Sequence, residues 1–65
     1  MIIVDLIKEM MYQQDKTIKD MVKETGLSYT IVENVVKRNV VPKPEDAKLM
    51  LAVFNIKLED VLCLY

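Results

Sequence analysis

The sequence predicts an all-α fold of five helices and no strand, and two observations carry that expectation. Apolar residues recur at intervals of three and four along most of the chain, the spacing that gathers side chains on one face of a helix. Residues that start helices, Thr17, Ser28 and Pro44, alternate with residues that end them, Gly26, Asn39 and Asn55. At 65 residues the chain is expected to be one domain, residues 1–65, close to the lower size at which a core holds a fold without disulfides or metals. Its apolar content is 52% but its aromatic content only 6%, so aliphatic side chains and five methionines must build the core.

The first helix is expected over residues 2 to 13, with Ile3, Leu6, Ile7 and Met10 inward and the polar "QQDK" ending it. Met10 and Met11 then act as core and rim filler. Thr17 begins the second helix. Asp20 stands three residues on, an approximation to a capping box with Asp in place of Glu. Ile18, Met21 and Val22 supply this helix's buried face. Gly26 stands where the chain must turn left-handed, which a residue without a side chain does at least cost. Ser28 can cap a third helix from Tyr29 to about Lys37, with Val32 and Val35 inward and Leu27 in the corner. So short a connection demands a tight helix-turn-helix angle.

"NVVPKPED" then interrupts the pattern. Pro44 suits the first turn of a fourth helix, and Glu45 and Asp46 suit the positive end of its dipole. Ala47, Met50, Leu51 and Phe54 form its inward stripe, and Asn55 can close it. A short last helix is expected from Leu58 to about Leu62, with Glu59 and Asp60 in its first turn.

Several kinds of chemistry are excluded. Histidine is absent and Cys63 is the one cysteine, so there is no zinc finger, no histidine-based mechanism and no nucleophile with its base. No enzyme and no cofactor are expected. Cys63 reads as a small buried hydrophobe, and a disulfide-stapled secreted domain is not expected, which makes the cytoplasm the default location. "MIIVDLIKEMMYQQD" is broken by Asp5, Lys8 and Glu9, so it is neither a leader nor a membrane span.

"TGLSYTIVENVVKR" and the following "VPKPEDAKLMLAVFNIKLEDVL" together resemble the helix-turn-helix domains of the phage lambda repressor and Cro type, the XRE family. The spacing agrees without a gap from Thr17 to Leu62, with the motif itself at residues 17–38. The resemblance implies a DNA face built from Thr17 and Lys19 at the second helix, Ser28, Tyr29, Thr30, Glu33, Asn34, Lys37 and Arg38 at the third, and Lys43 beyond it. Asn suits an adenine edge, Glu a cytosine amino group, and Tyr and Thr a phosphate or a thymine methyl; the cations suit backbone phosphates. The partner implied is double-stranded DNA.

Charge distribution agrees with this better than the net charge of -1 does. Residues 15 to 43 hold six basic side chains (Lys16, Lys19, Lys23, Lys37, Arg38, Lys43) against four acidic ones (Asp15, Asp20, Glu24, Glu33), while the flanking segments are net acidic. Such a dipole steers the motif toward DNA and limits non-specific binding. The lysines at 16, 19 and 23 read equally as a solvated helix face.

The chain also departs from the family pattern. Ile18 stands where Gln is common, and no Arg or Gln lies in the first turn of the third helix. Arg38 replaces the usual Gly, with Asn39 as the left-handed residue, and Lys57 replaces the usual Ser or Asp cap of the last helix. Ile31 and Val36 have three readings: packing against the core, contact with another protein, or, for Ile31, contact with thymine methyls.

The closing "VLCLY" offers more apolar surface than one short helix buries. Leu49 and Val53 also lie off the main stripe of the fourth helix. Homodimerisation through Leu49, Val53, Val61, Leu62, Leu64 and Tyr65, with residues 58–65 as the dimerisation tail, is one reading; a tail folded back on its own chain is the other. The functional expectation is a sequence-specific regulator, a phage- or mobile-element-type repressor acting as a homodimer on a near-palindromic operator. The alternative is the same scaffold used as a protein-interaction module: an antirepressor, a phage-encoded inhibitor or an oligomerisation domain.

Overall fold

Four α-helices and a 3-10 helix follow one another in the computed structural model, which describes residues 2–65, and no strand occurs among them. Helix α1 spans Ile3–Gln13, α2 Ile18–Thr25, α3 Tyr29–Arg38 and α4 Pro44–Ala52, and the 3-10 helix covers Leu58–Leu64. The all-α, five-helix expectation therefore holds.

The turns are set by residues that tolerate left-handed backbone. Asp15, Gly26, Asn39 and Asn55 all have positive φ, between 55° and 76°. Asp15 and Asn55 each sit at a helix exit where two backbone bonds close the last turn. Lys16 donates to the Met11 carbonyl at 2.8 Å and Asp15 to that of Tyr12 at 3.3 Å; Ile56 donates to Leu51 and Asn55 to Ala52, both at 3.1 Å. This is the paired arrangement that satisfies carbonyls orphaned at a helix end.

The core is wholly apolar. Ile3, Val4, Ile7 and Met11 of α1 meet Met21 of α2, Val32 and Val35 of α3, and Met50, Leu51 and Phe54 from α4 and its exit turn. Full burial of side chains this size contributes about 1.5–3 kcal/mol each before chain entropy opposes it. The α4 stripe is as expected, with Ala47, Met50, Leu51 and Phe54 all buried.

The inward face of α1 is rotated from the expected one. Val4 and Met11 are buried where Leu6 and Met10 were expected, and those two are half-buried at the edge of the core. The reason lies in "IIVDLIKEMM": apolar residues cover so wide an arc that several faces satisfy helical spacing, and only the neighbouring helices choose among them.

The C-terminus also differs. The last helix is of 3-10 type, runs on to Leu64 and is kinked at Val61 (φ -126°, ψ 20°). Cys63, expected to be buried, is exposed, because the kinked tighter helix turns it outward. Val61 packs against the core and Leu64 is half-buried. The Tyr65 hydroxyl donates to the Pro42 carbonyl, so the tail lies against the α3–α4 loop of its own chain.

Candidate nucleic-acid interface

The site starts from how α2 and α3 are fixed. Thr17 caps α2 in both senses: its hydroxyl accepts from the Asp20 N–H at 3.1 Å, and the Asp20 carboxylate accepts from the Thr17 N–H at 2.9 Å. The second bond holds the Asp20 carboxyl below its usual range; the Thr17 hydroxyl and the charges of Lys16 and Lys23 act in the same direction. The capping box is thus complete with Asp in the Glu position, since the shorter carboxylate still reaches.

Gly26 ends α2 at φ 76°, and its N–H donates to the Val22 carbonyl. The chain then needs only Leu27 and Ser28 before α3 begins. Leu27 packs against the core, and the Ser28 hydroxyl accepts from the Ile31 N–H at 3.3 Å. With its start capped by Ser28 and its end closed by Asn39, α3 has its axis and rotation determined by Val32 and Val35, each 1% exposed.

That rotation decides what faces outward. Tyr29, Thr30, Lys37 and Arg38 are exposed, and Glu33 and Asn34 are half-buried. None of these six side chains hydrogen-bonds within the described residues. Thr17, Lys19 and Ser28 are exposed at the starts of α2 and α3, and Lys43 is exposed just before α4. Lys16 is occupied elsewhere: it pairs with Glu24 at 2.7 Å, and that bond raises its pKa. Of the lysines at 16, 19 and 23, it is therefore the one tied to the fold.

Ile18, Ile31 and Val36 are half-buried and pack against the core. Their apolar character thus has a structural use. Ile31 keeps one flank on a groove between α3 and the α3–α4 loop, lined also by Asn34, Val40, Val41 and Lys43. Sequence reasoning gave Val40 and Val41 no role of their own, reading "NVVP" as a breaker and as cover for Val36. Two β-branched residues in succession in an exposed loop are the signal that could have found them.

A second surface lies on the far part of the chain. Ala52, Ile56, Leu58 and Leu62 floor a shallow apolar groove rimmed by Lys48, Lys57 and Glu59. The residues expected at a dimer interface divide here. Leu49 and Leu62 are exposed, and so is Tyr65 apart from its bonded hydroxyl, while Val53, Val61 and Leu64 are half-buried. No helix of the described residues is long and apolar enough to cross a membrane. Neither a family model, nor a curated protein, nor a solved structure matches the chain.

Proposed function

We propose that the chain is a small sequence-specific DNA-binding regulator of the lambda repressor and Cro type, a phage- or mobile-element-type repressor acting as a homodimer on a near-palindromic operator. The observation that carries this reading is the outward face of α3. Its polar and cationic side chains have no partner among the described residues, on a helix whose start, end and rotation are all fixed. A helix of this length fits the major groove of B-form DNA.

Asn34 can there bond an adenine through N6 and N7, and Glu33 can accept from a cytosine amino group. Thr17, Lys19 and the first N–H groups of α2 would hold one phosphate run, with Lys37, Arg38 and Lys43 on another. Occupying an operator in this way would block or recruit polymerase. A single unit of such modest charge would bind weakly, and pairing two half-sites through Leu49 and Leu62 supplies the missing affinity.

Selection of duplexes from a random pool tests this. A specific motif should be enriched, and its affinity should fall steeply with salt. Lys37→Ala should lower the slope of log K against log salt by about one. Asn34→Ala should cost about 1–3 kcal/mol of discrimination at one base pair.

The apolar groove rimmed by Lys48 and Lys57 favours a second reading, a module that binds another protein. If no duplex is enriched at low salt while a defined protein partner co-purifies, that second reading replaces the first.

A further inference from the structure

The α3–α4 loop exposes Val40 and Val41, each 48% open to solvent, yet holds them firmly. Three hydrogen bonds from three parts of the chain fix this loop. The Val40 N–H donates to the Asn34 carbonyl at 3.0 Å, the Lys8 ammonium of α1 donates to the Asn39 side-chain oxygen at 2.8 Å, and the Tyr65 hydroxyl donates to the Pro42 carbonyl. Valine adds its own stiffness at χ1. Two apolar side chains presented to solvent by a pinned backbone form a shaped surface.

The groove they line faces Ile31 and Asn34 across from the loop, with Lys43 and Asp46 also at its wall. The two opposite charges leave the groove with no net charge, so its interior suits an apolar group better than a phosphate. Asn34 supplies what an adenine needs, an amide with a donor and an acceptor side by side. The apolar feature that the DNA major groove offers beside an adenine edge is the thymine 5-methyl group.

We infer that the groove formed by Ile31, Val40 and Val41 reads a thymine methyl within one base step of the adenine bonded by Asn34. The half-site is therefore specified by an A·T pair with a neighbouring thymine. This rests on the DNA-binding reading above and adds its sequence class. It also gives the loop valines a part in specificity, with the phosphate contacts left to Thr17, Lys19, Lys37 and Arg38 and, at the edge of the groove, Lys43.

The test uses the full chain and two pools of random duplexes, one built with thymidine and one with deoxyuridine, which pairs identically but lacks the methyl. The thymidine pool should yield a motif containing the A·T pair and the adjacent thymine. Deoxyuridine at that one thymine should weaken binding about fourfold, the worth of burying one methyl group. In Val40→Ser and Val41→Ser, whose side chains lie outside the core, that preference should fall toward one. If an enriched duplex binds equally well with deoxyuridine at every thymine, the inference is overturned and the DNA-binding reading stands. If neither pool is enriched, the DNA-binding reading itself is overturned and the inference falls with it.

Discussion

Gly26→Ala isolates the backbone requirement on which the α2–α3 angle depends. A Cβ built at Gly26 meets no atom within 4 Å, so the substitution adds no clash. What it adds is left-handed strain at φ 76°, about 1–2 kcal/mol for a residue with a side chain. About 0.4–1 kcal/mol is recovered because alanine leaves the unfolded chain fewer conformations. The net loss should be about 0.5–1 kcal/mol, a fall in Tm of about 2–8 °C for a domain this small. Gly26→Asn should lose less, because Asn tolerates this region, as Asn39 at φ 56° and Asn55 at φ 59° do in the same chain. Thermal and urea melts followed by circular dichroism measure both. A loss above about 3 kcal/mol for both variants would refute the reasoning, since strain alone cannot supply it and space at the turn would have to be restricted.

Met21→Ala, at a residue with 0% exposure, should cost about 2–5 kcal/mol and leave a chain this small largely unfolded, visible as lost helical signal. Thr17→Ala removes the acceptor for the Asp20 N–H and should lower stability by about 1 kcal/mol in the same melts. The folded-state pKa of Asp20 is depressed, so its contribution is present above the ordinary carboxylate range and is lost as pH falls through the lowered value. Wild type should therefore melt above Asp20→Asn at neutral pH, and the gap should close below about pH 4. Leu62→Glu places a charge on a side chain 58% exposed at the proposed dimer surface, and sedimentation should show dimer converting to monomer. A wild-type chain that is monomeric at high concentration would remove the dimer from the proposal.

The sequence by itself determined the order of elements, because local chemistry decides it. Thr17, Ser28 and Pro44 begin helices through groups they carry themselves, and Gly26, Asn39 and Asn55 end them through backbone freedom within one residue. The α4 stripe was legible because Pro44, Glu45 and Asp46 fix where the helix starts and Ala47, Met50, Leu51 and Phe54 then recur at helical spacing, although Leu49, Ala52 and Val53 offer apolar side chains beside it. Of the candidate site, Tyr29, Thr30, Lys37 and Arg38 could be read as outward because they lie away from the Val32 and Val35 side of α3.

Only the tertiary structure decided the rest. Whether α1 buries Leu6 and Met10 or Val4 and Met11 depends on which neighbours press against a helix whose apolar residues cover a wide arc. Local spacing does not contain that information. Ile18, Ile31 and Val36 read ambiguously for the same reason, and packing places all three against the core. The bonds that pin the α3–α4 loop join residues as far apart as 8 with 39 and 42 with 65. Partners brought together by chain folding, not by helical periodicity, turned "NVVP" from a breaker into one wall of a groove beside Asn34.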